Sequence, residues 1–223
     1  MQNWLPHLLH LSDPALPVGA YTHSNGLETY VQQGIVHDAA TAGTYIRNML
    51  GYNFIYNDGF FAWQGYLAAE AGDLPLLLEL DDECTALKSP IEMRQASQKL
   101  GLRLLKLMQP LAKHEFAKEY ALKTTGHYCL VFGIYAYLLG IPLEEAMTAF
   151  YYNAATGMVT NCVKLVPLGQ QQGQEILYSL LPLLSGWVAT TQAIPRELAG
   201  RCSPAFDISC MQHEKLYSRL YMS

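Results

Sequence analysis

The sequence predicts an all-α protein: one domain built as a bundle of about ten helices. Three observations carry that reading. Apolar residues recur at threes and fours along most of the chain, the spacing that lines one face of a helix. No stretch alternates apolar and polar residues between hairpin turns, as half-buried strands do. Short Gly/Pro punctuation separates the periodic segments, with no Ser/Gly-rich linker and no internal repeat.

The chain opens with an apolar stretch containing His7 and His10, then breaks at "LSDPALPVGAYTHSNGLE", Leu11 to Glu28. Pro14 and Pro17 fix φ along this loop, and Gly19 permits a sharp bend or close backbone approach. Ser24 or Asn25 is placed to cap the next helix, with Glu28 completing a capping box. Asp38 is the expected N-cap of a helix whose face carries Ala42, Tyr45, Ile46, Met49 and Phe54. "NDGFFAWQGYLAAEAGDLP" reads as a second helix, ended by Gly72 and restarted after Asp73. "LPLLLELDDECTAL" is a third. From Pro90 an apolar stripe runs through Met93, Leu100, Leu104, Leu107 and Leu111. The acidic run Glu79, Asp81, Asp82, Glu83 and the cations Lys99, Arg103 and Lys106 read as two solvated helix faces. Gly140 with Pro142, and then "VPLGQQQGQ", break the later apolar helices. Ala154, Ala155 and Gly157 offer close approach between two central helices. A domain over 1–206 is expected, followed by a helical tail over 207–223. On that tail His213, Leu216, Tyr217 and Leu220 share a face. Such a helix either docks on its own domain or orders on a partner.

Hydrophobic residues make up 51% of the chain and charged residues only 15%, against roughly 25% as usual. That excess demands a large core or a surface covered by partners. A net charge of −5 argues against a nucleic-acid binder, which needs a basic face. Five scattered cysteines, an odd number with no CxxC, fit reduced thiols in a cytoplasmic protein. Three uncharged windows, 124–143, 146–163 and 176–195, are each about long enough to span a bilayer. Their Asn, Thr, Gln and Pro content, and the lack of flanking Lys/Arg-rich loops, favour buried core helices over an integral membrane protein.

Catalytic motifs are absent. "THSNG" has Thr22 where a nucleophile elbow needs glycine, and no strand precedes it. His114-Glu115 and His213-Glu214 lack the second histidine of a zinc-protease helix. There is no phosphate loop and no GxGxxG. No catalytic, cofactor-binding or metal-ligating residue is therefore assigned. Were a nickel ion held, His23, His127 and His213 would be the first ligands to test. His127 otherwise reads as a first-turn or core histidine, and Cys129 and Cys162 as small hydrophobes.

The opening stretch resembles the S-D-P-x-L-P-x-G-x-x-x-x-S-x-G-L-E motif of the urease accessory protein F (UreF) family. "GHYCLVFG" at Gly126 to Gly133, "VKLVPLGQQQGQ" at Val163 to Gln174 and "FDISCMQHEKLYSRLYMS" at the chain's end match in the expected order. The departures are mild. Tyr21 to His23 and Asn25 vary the first motif, Cys129 stands where Pro or a small residue is expected, and the tail carries Leu-Tyr rather than Leu-Phe.

The resemblance implies a non-enzymatic chaperone of nickel insertion, dimeric in its working complex. It would join the UreD/UreH-type accessory protein and the nickel-carrying UreG-type GTPase, and dock with them on apo-urease. It would regulate the GTPase, with no nucleic acid, membrane or cofactor involved. A rival reading makes it a GTPase activator supplying an arginine finger in trans, with Arg94, Arg103, Arg196, Arg201 or Arg219 as the finger. The residues assigned to partner binding are Ser12, Asp13, Pro14, Pro17, Gly19, Ser24, Glu28, His127, Lys164, His213, Leu216, Tyr217, Arg219 and Leu220.

Overall fold

The computed structural model describes residues 4–19, 23–24, 26–124, 126–217 and 219–221. Within them all regular secondary structure is helical, with no strand. Twelve α-helices are described: α1 Trp4–Leu11, α2 Leu27–Gln32, α3 Ala39–Asn48, α4 Phe60–Ala71, α5 Leu74–Leu87, α6 Ile91–Leu111, α7 Glu115–Lys123, α8 Tyr128–Leu138, α9 Leu143–Leu165, α10 Gln170–Leu180, α11 Leu184–Gln192 and α12 Pro204–His213.

The bundle is organised around α8, in which every residue from Cys129 to Ala136 is buried. Such an all-round apolar helix has to sit inside other helices. Two glycines let α4 lie against it. A Cβ on Gly133 would collide with the carbonyl oxygen of Ala62, and one on Gly65 would come within 3.0 Å of the Leu130 carbonyl oxygen. The expected small-residue contact at Gly157 does not occur. That glycine is exposed and a Cβ there meets nothing within 4 Å. No helix among the described residues is long and apolar enough to cross a membrane.

Asp38 caps α3 as expected, accepting the Thr41 amide at 2.8 Å in a reciprocal capping box. The helix does not then stop and restart. It passes through a π-helical segment, Met49–Gly59, into α4. The step of five between Met49 and Phe54 is the sequence trace of that wider turn. Gly72 ends α4 in the left-handed region (φ 65°), and Asp73 caps α5 by accepting the Leu76 amide. Pro90 is the N-cap of α6 rather than a first-turn residue. The stripe read there is only partly correct: Leu104 is buried but Leu111 is exposed, and Ala96, Ser97, Gly101, Leu105 and Met108 complete the inner face.

The acidic run is not one solvated face. Asp81 is buried, and Glu79 and Glu83 both bind Arg196, at 2.6 and 3.0 Å. The tail helix is also shorter than expected: α12 ends at His213 and the described residues beyond it form turns and bends.

Candidate functional site

The opening motif and the tail meet. The capping box expected of Ser24, Asn25 and Glu28 is not formed. Gly26, at φ 77°, is the N-cap of α2, and no side chain caps the helix. Asn25 lies outside the described residues, and the Ser24 hydroxyl is buried with no hydrogen-bond partner among them. Gly26 is required for a different reason. A Cβ there would stand 2.7 Å from the Cys210 sulfur, so glycine lets α2 press against α12.

Glu28 is thereby freed from the cap and turned toward the tail. Its Oε1 accepts the Leu220 amide at 2.9 Å, and its Oε2 accepts the Tyr221 amide at 3.3 Å. The same Oε2 lies 3.2 Å from Nε2 of His213, whose side chain is fully buried. Nδ1 of that ring is 2.7 Å from Oε2 of Glu92, at the start of α6. Arg219 donates to Oε1 of Glu92, also at 2.7 Å. Thr29 adds a hydrogen bond to the Ser209 carbonyl. One imidazole between two carboxylates thus ties α2, α6 and α12 together, and the turn after α12 closes over it. The ionic groups answer one another, as buried charge requires.

A second polar centre surrounds His127. Asp81 accepts from the Tyr120 hydroxyl (3.0 Å), the Thr124 hydroxyl and the His127 amide (3.0 Å). The His127 ring bonds Ser97 at 3.0 Å and Thr85 at 2.9 Å. Burial, followed by the neighbouring Asp81 carboxylate, pushes the Tyr120 phenol well above its ordinary pKa. His127 is a core histidine that locks α8 to α5 and α6.

Between these centres lies a cavity of about 360 Å³, lined in part by Pro14, His23, Met93, Asn161 and Phe206. Lys88 and Asp58 form a 2.8 Å ion pair in its wall. Burial acts to lower the Lys88 pKa, but the Asp58 carboxylate, with Cys84 adding to it, outweighs burial and holds the ammonium form. Burial lowers the His23 pKa, with Arg103 and Lys99 adding to the effect.

Of the residues assigned from sequence, Glu28, His213, Arg219 and Leu220 are brought together. Leu216 is half-buried beside them, while Tyr217 and Leu220 point outward, Tyr217 completely and Leu220 78% exposed. The four expected to share a helical face are therefore split between core and surface. In the opening loop, Asp13 accepts the Ala15 amide, the Ser12 hydroxyl is buried with no hydrogen-bond partner among the described residues, and Pro14 and Pro17 are exposed. Gly19 adopts φ 83° beside the Arg103 guanidinium, which donates to the Val18 carbonyl at 3.0 Å. Lys164 stands apart, exposed near the end of α9. Sequence reasoning missed Glu92, Asp81 and the Lys88–Asp58 pair. Among the described residues, no group of three or more His, Cys, Asp or Glu side chains is arranged to hold a metal ion.

Fold and site together define an all-α protein whose most distinctive sequence motifs build buried polar clasps between helices. The UreF family model matches residues 36–181. Proteins described as urease accessory protein UreF are similar over nearly the full length. That of Actinobacillus pleuropneumoniae serotype 5b is 44% identical over 221 residues, 97% of each chain. That of Haemophilus influenzae strain PittGG is 42% identical over 97% of this chain and 94% of its own. The Arthrobacter sp. FB24 protein is 35% identical over 224 residues, with 97% and 96% covered. The chain belongs to the UreF family of urease accessory proteins.

Proposed function

We propose that this protein is a non-catalytic scaffold of urease maturation. It joins a UreD/UreH-type accessory protein to a UreG-type GTPase, regulates that GTPase, and works as a homodimer when the assembly delivers nickel to apo-urease in the cytoplasm. The observation that supports this best is the clasp. Glu28, His213, Glu92 and Arg219 hold the tail in one conformation while Tyr217 and Leu220 are left facing outward. Tyr and large aliphatic side chains presented on a pre-ordered segment lose little entropy on docking and dominate interface energy. The partner-binding role of the remaining assigned residues is part of this proposal, direct for the exposed Asp13, Pro14, Pro17 and Lys164 and only through the packing they support for buried ones such as His127.

The arginine-finger reading is less well supported. Each candidate is engaged on its own chain: Arg94 with the Lys88 carbonyl, Arg103 with the Val18 carbonyl, Arg196 with Glu79 and Glu83, Arg219 with Glu92, and Arg201 over the Tyr56 ring at 5.3 Å. A finger has to reach into another protein's nucleotide site. Co-purification of tagged protein with both partners tests the scaffold. Tyr217→Ala with Leu220→Ala should abolish capture of at least one partner while leaving the melting temperature unchanged. Full capture by this variant would sink the proposal. Strong GTPase acceleration lost in one Arg→Ala variant, with the complex intact, would favour the finger.

A further inference from the structure

Two cysteines that the proposed function does not use lie together in the core. Cys84 on α5 and Cys129 on α8 are fully buried, with their sulfurs 4.0 Å apart. Neither is bridged. We propose that Cys84 and Cys129 are a redox-sensitive dithiol, which a peroxide-class oxidant closes into a disulfide linking α5 to α8.

The surroundings suit that chemistry. The thiolate is the nucleophile, and neighbouring cations promote it. Burial alone would raise the Cys84 pKa, but the hydrogen bond with Cys129, the Lys88 ammonium and His127 outweigh burial and bring it down to about 6. Burial pushes Cys129 the other way, and the contact with Cys84 adds to it. The environment thus favours the thiolate at Cys84 and the protonated thiol at Cys129, the division of labour that an attacking and a resolving thiol need. Lys88, Ser97 and Tyr128 line the cavity, and they flank the pair: Ser97 binds His127, and Tyr128 precedes Cys129. Neither sulfur lines the cavity itself; hydrogen peroxide, little larger than water, would approach the pair across that wall.

The step balances. The Cys84 thiolate attacks one peroxide oxygen and the O–O bond breaks. Sulfenic acid forms, and the departing hydroxide takes a proton to become water. The Cys129 sulfur then attacks the sulfenic sulfur, its proton leaves with the hydroxyl as a second water, and the S–S bond forms. The two sulfurs give up two electrons and the peroxide takes them. The sulfurs must close from 4.0 Å to about 2.05 Å.

Cys202 provides an internal control. It is exposed, yet its donation to the Asp207 carboxylate raises its pKa and keeps it a thiol. The experiment exposes the full-length wild-type protein to graded hydrogen peroxide, then denatures and alkylates it for peptide mass spectrometry. The expected result is a Cys84–Cys129 cross-linked peptide, reversed by dithiothreitol, at a peroxide dose that leaves more than half of Cys202 reduced. In Cys129→Ala the sulfenic acid on Cys84 should persist and be trapped by dimedone. Both thiols recovered fully alkylated in the wild type, at a dose that oxidises half of Cys202, would overturn the proposal whether or not the variant folds.

Discussion

One carboxylate, Asp81, satisfies three donors from two other parts of the chain. Replacing it with alanine leaves them without an acceptor, and each buried orphan costs about 1–3 kcal/mol. Asp81→Ala should therefore lower stability by about 3 kcal/mol or more in urea unfolding, and Asp81→Asn by less, since one acceptor oxygen remains. The sequence held the clue. Leu74, Leu77, Asp81, Cys84 and Lys88 step by three, four, three and four along α5, so Asp81 and Lys88 belong to the buried stripe. Neighbouring Glu79, Asp82 and Glu83 drew Asp81 into a run of acids that looked solvated. Glu92 carried no comparable signal, because an acid in a first helical turn is commonplace at the surface. Lys88 and Asp58 should show strong coupling. Removing Asp58 strands the buried Lys88 ammonium, at about 3–5 kcal/mol, while removing Lys88 leaves a partly exposed carboxylate and costs less, so Asp58→Ala with Lys88→Ala should cost much less than the sum of the single changes. His23 predicts a pH dependence. Burial, Arg103 and Lys99 favour its neutral form in the fold, so the unfolded chain takes up a proton that the folded chain resists. Its contribution is complete above the ordinary value of about 6.5 and is lost as pH falls through the lower folded value. His23→Gln should flatten the decline of the urea midpoint as pH falls below about 6.5; an unchanged slope would contradict this.

At the level of elements, helices were readable because their caps are local. Asp38, Gly72, Asp73, Gly140 and Pro142 do the punctuation the sequence promised. What periodicity could not decide was which helices approach most closely. Gly157 looked like a packing glycine and faces open space, while Gly133 and Gly65 lie inside an apolar run where any small residue looks alike. The two glycines should respond oppositely to substitution. Gly157→Ala should stabilise by about 0.5–1 kcal/mol, since a helical position gains propensity with nothing to displace. Gly133→Ala should destabilise by about 1–3 kcal/mol as α4 is pushed from α8. Thermal unfolding of both variants checks the pair. The tail divides in the same way. Truncation after Ser203 removes Phe206, Cys210 and His213 from the core and should lower the melting temperature. Truncation after Glu214 keeps α12 and should leave the domain folded.

For the molecule as a whole, the resemblance carried the family and periodicity carried the fold. The meeting of the opening motif with the tail was not visible, because a contact across nearly the whole chain leaves no local pattern. The purified protein should turn over no GTP by itself and retain less than one Ni²⁺ per chain in equilibrium dialysis. Tight stoichiometric nickel, lost on changing His23, His127 or His213, would contradict that. The Glu28 carboxylate and the Leu220 amide it binds are separated by 192 positions in the chain. On the ribosome, Glu28 and Glu92 emerge long before His213 and Arg219 do. Until the tail appears, two carboxylates face the incipient core with their partners still unmade. A nascent chain without α12 should therefore be held short of its final packing by its own charge. Chains that stop before α12 should be the ones that quality-control proteases recognise, because α2 and α6 find their buried partners only when α12 arrives.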